Sequence, residues 1–358
     1  MLRSFRTLLV AGGCALALAL GTAGGAIAAE KKTFKLAWSI YVGWMPWPYA
    51  EQAGILKSWA DKYGITIELR QINDYVESIN QYTAGQFDGV VLTNMDALTI
   101  PATGGVDTTA VIVGDFSNGN DAVILKGGKA VADIKGRKVN LVELSVSHYL
   151  LARALSTAGL SERDVKVVNT SDADIVAAFA APGTEATVTW NPQVSEILKA
   201  PDAVKVFDSS NIPGEIIDLM VVNSATLADN PALGKALAGA WYETMALMSR
   251  DDAAGKAARE AMARLSGTDL AGYEAQLRST RMFYAAKDAV DFTSGADLVT
   301  TMDRVRSFSF DHGLLGEGAK TMDAVGIAFP GGKTLGDARN VKLRFDASYM
   351  ALAADGKL

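Results

Sequence analysis

Short apolar runs of strand length alternate with segments of helical spacing along most of this chain, and the order occurs twice. The first series covers about residues 33–115 and the second about 123–215. Alternation of strands and helices is typical of largely parallel sheets covered by helices. The pattern therefore predicts two α/β units, followed from Pro231 by a helical region.

The domain boundaries follow from this pattern. Two extended stretches, around residues 116–124 and 216–222, connect the units, and two such crossings make a hinge. The expected divisions are a signal peptide (1–28), the first part of lobe 1 (29–115), lobe 2 with the hinge crossings (116–218), and the completion of lobe 1 with the C-terminal helices (219–358). The fold class is α/β with two parallel-rich sheets, and ligands of such folds bind beyond the strand ends. Residues 319–358 are not assigned to a role.

The N-terminus is typical of a cleavable signal peptide. Arg3 and Arg6 precede an apolar run, and Ala26-Ile27-Ala28 is a small-x-small cleavage sequence. The run over residues 8–20 is shorter than the roughly 20 residues that a membrane span needs. We therefore expect a periplasmic protein.

Charge and cysteine content exclude several classes of function. Cleavage after Ala28 removes two of 34 basic residues and none of 40 acidic ones, so the net charge changes from −6 to 32 − 40 = −8. A nucleic-acid-binding protein usually carries a basic face, and none is expected here. Cleavage also removes Cys14, the single cysteine, which excludes thiol nucleophiles and thiolate metal ligands. We expect no cofactor and no metal.

The predicted strand-end loops are acidic. Residues 71–125 contain seven Asp or Glu, and residues 167–198 and 206–234 contain four each, with no Lys or Arg in any of the three. A nitrate or sulfonate site needs Arg, Lys or amide donors. Carboxylates that accept N–H donors and aromatic faces that stack on a cation instead favour a small planar cation such as guanidinium. Urea is the next candidate, although its oxygen needs donors.

The candidate ligand-binding residues are aromatic, acidic or amide side chains at predicted strand ends, with the polar residues that open one helix. They are Trp44, Asp74, Asn94, Asp96, Asp115, Glu143, Ser147, His148, Trp190 and Glu215. Each has a structural alternative: the tryptophans can pack helices onto a sheet, and the acids can cap helices or hold turns.

One feature of the sequence opposes a bound cation. Ser145, Ser147 and His148 open a helix, and a helix N-terminus is electropositive. Glu143 is the nearby acid that could offset this charge. His148 has no matching nucleophile, and His312, the other histidine, lies far along the chain. A catalytic triad is therefore not expected, and we predict no enzymatic activity.

Several runs of sequence resemble a known family, the periplasmic substrate-binding proteins of ABC importers of the nitrate, sulfonate and taurine type. The runs are YVGWMPWPYAEQAGILKSWADKYGI, DYVESINQYTAGQFDG, TNMDALTIPA, GDFSNGND, LVELSVSHYLLARAL, NTSDADIVAAF, TWNP and DSSNIPGEIIDL. They look like the branch that accompanies urea- or guanidine-carboxylase enzymes. The resemblance covers about residues 33–250 and implies a two-lobed periplasmic binding protein fold of type II, a monomer that delivers guanidinium or urea to an ABC permease in the inner membrane.

Other functions stay open. The ligand could be nitrate, taurine or an alkanesulfonate, as the wider family implies. An exported enzyme is a further alternative, although thiamine-pyrimidine synthases of this fold carry a Cys-rich motif that the mature chain lacks. A ligand sensor that docks on a receptor would have the same sequence features as an importer component.

Overall fold

The computed structural model describes residues 31–358, so the predicted signal peptide lies outside the described residues. The strands are β1 (Thr33–Trp38), β2 (Thr66–Gln71), β3 (Gly89–Thr93), β4 (Thr108–Ser117), β5 (Ala122–Lys126), β6 (Lys138–Leu141), β7 (Lys166–Asn169), β8 (Ala186–Thr189), β9 (Ala203–Asp208), β10 (Ile217–Asn223), β11 (Thr280–Met282), β12 (Gly326–Ala328), β13 (Thr334–Leu335) and β14 (Val341–Phe345).

The helices lie between these strands and follow β10 in a long series. They are α1 (Pro46–Gln52), α2 (Ile55–Lys62), α3 (Tyr75–Thr83), α4 (Asn94–Ala97), α5 (Val146–Thr157), α6 (Ile175–Ala180), α7 (Gln193–Ile197), α8 (Ser224–Asp229), α9 (Pro231–Met248), α10 (Ala253–Leu265), α11 (Leu270–Leu277), α12 (Ala286–Ser294), α13 (Ala296–Asp311) and α14 (Ser348–Ala354). None of the helices described here is both long and apolar enough to cross a bilayer.

The strands form two sheets. The larger has the order β13-β12-β14-β4-β10-β3-β1-β2, with β11 also paired to β4, and the smaller has the order β7-β6-β8-β5-β9. Both sheets are mixed rather than parallel-rich. In the smaller one, β6 is parallel to β7 and β8, whereas β5 is antiparallel to both β8 and β9. In the larger one, β10 returns antiparallel between β3 and β4. The α/β expectation is confirmed, with this correction.

Local sequence explains the elements around the site. The run Gly89–Thr93 is buried along its whole length, as expected for a strand covered on both faces. Asp74 caps α3, because its carboxylate accepts a hydrogen bond from the Glu77 backbone N–H at 2.9 Å. Gly85 follows α3 with φ of 77°, a left-handed conformation that glycine adopts without strain.

The C-terminal region differs partly from the sequence prediction. Helices α9, α10, α11 and α13 form the helical region predicted from Pro231, because their apolar spacing is regular. The tail forms strands: β14 pairs in parallel with β4, and β12 pairs with β14. Residues 326–345 thus extend the larger sheet. These strands have two to five residues each, too few for periodicity to reveal them.

Candidate functional site

A small cavity lies where loops that follow the strands of both sheets meet. The lining residues are Tyr41, Trp44, Tyr75, Asp121, Val146, Trp190, Ile216 and Asp218. Trp190 follows directly on β8, Tyr75 opens α3 and Val146 opens α5, whereas Asp121 and Ile216 immediately precede β5 and β10. The space left for the centre of a water-sized molecule is only about 10 Å³, which is the room that one water needs. A ligand enclosed here must be small.

The walls of the cavity form a continuous series of aromatic rings. The Tyr41 and Trp44 rings meet edge to face with centroids 5.0 Å apart. Trp44 is 5.7 Å from Tyr75, and Tyr75 is 5.5 Å from Trp190 in a T-shaped contact. The indole N–H groups of Trp44 and Trp190 have no hydrogen-bond partner. These two N–H groups are donors that a hydrogen-bond acceptor in the cavity would satisfy.

Two carboxyls lie side by side at one end of the cavity. Asp115 on β4 and Asp218 on β10 are directly opposite each other in the antiparallel pairing, and both are buried. The Tyr41 hydroxyl donates to Asp115 Oδ1 at 3.0 Å, while Oδ2 of each aspartate has no partner. Burial raises the pKa of Asp115 to about 7. The pKa of Asp218 is raised well above its usual range by burial and then by the nearby Asp115 charge.

A third carboxyl, Asp121, lines the cavity just before β5. The Ser117 hydroxyl donates to its Oδ2 at 2.5 Å. Burial, together with the charges of Asp115 and Asp96, nevertheless raises the pKa of Asp121 to about 7. No Lys, Arg or His belongs to the lining set. The adjoining cavity, which Asp115 and Asp218 share with Trp47 and Trp241, contains no basic residue either.

Asp96 is the fourth buried acid. Its Oδ2 accepts hydrogen bonds from the Tyr75 hydroxyl at 2.6 Å and from the Thr93 hydroxyl at 2.8 Å. Its Oδ1 has no partner within hydrogen-bond geometry. Burial raises the pKa of Asp96 to about 6, against the opposing effects of Tyr75, Thr93 and the backbone N–H of Val146. A buried carboxylate without a counter-ion is costly. A cation in the cavity would remove that cost.

The acids do not form a metal site. Within residues 31–358, no group of three or more His, Cys, Asp or Glu is placed to hold a metal ion. Calcium and magnesium need oxygen ligands converging at about 2.0–2.6 Å. Asp115 and Asp218 lie opposite each other on neighbouring strands, whereas Asp96 follows β3 and Asp121 precedes β5.

The structure brings together some of the residues predicted from the sequence. Trp44 and Trp190 line the cavity, and Asp96 and Asp115 are buried beside it. Ser147, the second residue of α5, is buried with an unpartnered hydroxyl.

Other predicted residues lie off the cavity. Asn94 fixes the backbone at Ile217, because its Oδ1 accepts a hydrogen bond from the Ile217 N–H at 3.0 Å. Asp74 caps α3 and accepts from the Ser171 hydroxyl at 2.8 Å. Glu143 is exposed to solvent.

Glu215 and His148 belong to two side-chain networks between α5 and α13. Glu215 accepts from Arg153 at 2.9 and 3.1 Å, from Arg304 at 3.0 Å and from Tyr149 at 2.5 Å. The His148 and His312 rings both contact the Glu162 carboxylate, with ring centroids 5.7 Å apart. The sequence-based view that no second histidine lies near His148 is wrong, because α13 returns to pack against α5.

Four lining residues, Tyr41, Tyr75, Asp121 and Asp218, were not among the candidates predicted from the sequence. Tyr75 follows a capping residue and has the pattern of a helix packed on a sheet. Asp121 lies in the acidic GDFSNGND run, at the crossing between the sheets. Its position immediately before a strand was the available indication.

Comparison with known proteins decides the family. The sequence profile of the NMT1-like family matches residues 28–265, more than half of the chain. The chain belongs to the NMT1-like family. A protein of Brucella abortus (strain 2308) that carries a binding-protein name is 28% identical over 175 residues, which are 48% of this chain and 54% of that protein. The chain thus aligns with only about half the length of that relative.

Solved structures share the fold of this NMT1-like protein. The alkanesulfonate-binding protein of Xanthomonas axonopodis pv. citri, bound to MOPS, has a TM-score of 0.66 at 18% identity, over 83% of this chain and 99% of that one. The nitrate-binding protein of Synechocystis PCC 6803 has a TM-score of 0.57 at 13% identity, over 92% and 99%. At these identities the likeness shows the fold, a two-lobed α/β periplasmic binding protein fold, and not the ligand.

Proposed function

We propose that this NMT1-like protein is the periplasmic solute-binding component of an ABC importer, that its ligand is guanidinium, and that it binds without catalysis. The observation that carries the ligand class is the set of four buried carboxyls, Asp96, Asp115, Asp121 and Asp218, around an aromatic-lined space whose lining residues include no basic side chain. A small planar cation has N–H donors in its plane for the carboxylates and two faces for the rings.

Size separates the candidates only in part. Space for about one water is too small for any of them unless the cleft opens, and a substituted sulfonate needs a wider opening than guanidinium, urea or nitrate. Urea has the right shape but is neutral and would leave the carboxylates uncompensated. The alternative within the same class, nitrate or a sulfonate, has one argument in its favour: the fold neighbours are named for such anions.

The proposed organisation follows the two sheets. The smaller sheet and its helices form one lobe, the larger sheet and the C-terminal helices the other, and the segments around 116–124 and 216–222 act as the hinge. Closure around the ligand shifts the population of open and closed forms in proportion to the ligand's differential affinity. A monomer in the closed form would then dock on the permease, after export with cleavage behind Ala28.

Isothermal titration calorimetry of the mature protein tests the ligand. We expect guanidinium, at concentrations far below those that denature, to bind with a Kd on the order of 1 μM, about 8 kcal/mol. Urea should bind more weakly, and nitrate and taurine should give no heat. Asp115→Asn should weaken guanidinium binding at least about thirtyfold, since it removes a buried charge partner.

The matched control is Glu143→Gln, because Glu143 is exposed and off the cavity. Its affinity for guanidinium should equal that of the wild type. Binding of taurine or nitrate with no guanidinium signal would overturn the ligand proposal and restore the anion alternative.

A further inference from the structure

The positive end of a helix faces the proposed cation site. Helix α5 has 12 residues, and its first residue, Val146, lines the cavity. The Ser145 hydroxyl caps the helix by accepting from the Ser147 N–H at 3.2 Å, and the His148 N–H donates to the Ser145 carbonyl at 2.9 Å. A helix N-terminus carries about half a positive charge and normally attracts anions. Beside a guanidinium ion this charge needs a permanent partner.

Asp96 is placed to be that partner. It comes from α4, which packs with the larger sheet, and the Val146 N–H lies against its carboxyl. Tyr75 and Thr93 hold Oδ2 by two short hydrogen bonds. Oδ1 is buried and otherwise unpartnered. The carboxyl is therefore fixed in orientation and lies where a free anion would meet the helix.

Stabilisation of α4 does not explain the position of Asp96. An acid in the first turn of α4 favours that helix, but α4 has only four residues and is already capped by the Thr93 hydroxyl, which accepts from the Asp96 N–H at 3.4 Å. The Ser147 hydroxyl at the start of α5 is also buried and unpartnered. Asp96 Oδ1 and the Ser147 hydroxyl therefore both lack a hydrogen-bond partner near the α5 N-terminus, and the capping of α4 does not explain either.

We propose that Asp96 is a specificity-determining residue: its carboxylate acts as a built-in anion at the N-terminus of α5, which excludes external anions and leaves the cavity selective for cations. The selectivity for cations rests on the proposed function. The exclusion of external anions does not, because it concerns only the N-terminus of α5 and the space that the Asp96 carboxylate fills.

The test removes the carboxylate and offers a replacement. Asp96→Ala is titrated with formate, nitrate and guanidinium by calorimetry. We expect the variant to bind formate or nitrate with millimolar affinity, whereas the wild type binds neither. The affinity of the variant for guanidinium should fall about a hundredfold, and added formate should then raise that affinity at least tenfold. Asp96→Asn, which fills the same space, should lose guanidinium affinity without gaining an anion.

A matched control separates this role from that of an ordinary carboxylate ligand. Asp121→Asn should also weaken guanidinium binding, but it should bind no anion and show no rescue by formate. Circular dichroism checks the fold of each variant. If Asp96→Ala unfolds, the same titrations are made with Asp96→Ser, whose hydroxyl can still accept a hydrogen bond from Tyr75.

The outcomes distinguish the two proposals. Loss of guanidinium binding with neither formate binding nor rescue overturns the built-in-anion role and leaves Asp96 as a ligand contact. Anion binding gained by the variant, with no guanidinium binding by the wild type, supports the role of Asp96 and overturns the guanidinium proposal.

Discussion

Asp115 and Asp218 pose the sharpest electrostatic problem in the molecule, because two buried carboxyls lie opposite each other without a basic residue between them. Like charges at such positions cannot both ionise cheaply. We therefore expect the pair to keep a proton when the cavity is empty, and the proposed cation to displace it. Ligand capture becomes coupled to proton release.

Guanidinium affinity should consequently rise with pH. Burial raises the pKa of Asp96 to about 6 and those of Asp115 and Asp121 to about 7, so these groups are largely protonated at pH 5.5 and ionised at pH 8. Affinity should increase by up to about tenfold per pH unit for each proton displaced. Titrations in buffers of different ionisation enthalpy would count the protons. An affinity independent of pH would contradict this coupling.

Asp218→Asn should stabilise the ligand-free protein at alkaline pH. A carboxyl whose folded-state pKa lies above its unfolded value binds more protons when folded, so its contribution to the free energy of unfolding falls as pH rises from about 4 through the folded pKa. The variant removes that loss, and we expect a gain of about 1–3 kcal/mol at pH 8 and little change at pH 4. Thermal melts at both pH values measure it. A lower Tm at pH 8 would be the opposite result.

A residue of the site could be predicted from the sequence only where its neighbours along the chain formed a recognisable pattern. Trp190 and Asp96 were identifiable because β8 and β3 end just before them, whereas Asp115 lies near the end of β4 and Trp44 in the segment after β1. Glu143 was chosen as the counter-charge of α5 because it is near in sequence. The true neighbour, Asp96, comes from another sheet, and no local pattern records that contact.

Helices α5 and α13 are joined by a buried carboxylate. Glu215, on the crossing that leads into β10, is bound by Arg153 of α5 and Arg304 of α13, and the Tyr149 and Phe308 rings pack edge to face at 5.1 Å. The sequence predicted both helices from their spacing. It could not predict that they pack together, since about 150 residues separate them.

Arg153→Met should destabilise the protein more than Arg304→Met. Arg153 makes two hydrogen bonds to Glu215 and is less exposed, whereas Arg304 makes one. We expect a loss of about 1–3 kcal/mol for Arg153→Met and under about 1 kcal/mol for Arg304→Met. Thermal melts of both variants and of the double variant give the coupling. Equal losses would mean that packing, not the ion pairs, sets the stability of this contact.

Two hydrogen bonds connect a loop of the smaller sheet to the start of α3 beside the larger sheet. Asp172, in the loop after β7, accepts from the Tyr75 backbone N–H at 3.1 Å, and the Ser171 hydroxyl donates to Asp74 at 2.8 Å. These bonds connect the loop to the start of α3 on the larger sheet. These bonds link the two sheets and are not contacts to the proposed ligand.

Asp172→Ala should therefore weaken binding without altering selectivity. Loss of one hydrogen bond across the mouth corresponds to about 0.5–1.5 kcal/mol, roughly a threefold to tenfold rise in Kd. The ratio of guanidinium to urea affinity should stay constant, and stopped-flow measurements should place the change in the dissociation rate. A changed ratio would instead assign Asp172 to the ligand.

The shared carboxylate of His148 and His312 has a practical consequence. The chain contains two histidines, and both rings contact Glu162, one from α5 and the other from the end of α13. The imidazole region of a proton NMR spectrum thus contains the signals of only two rings, which report a single junction that begins two residues from the cavity-lining Val146. Any ligand that moves α5 relative to α13 should shift the signals of both rings together, so the protein needs no added label for such a measurement.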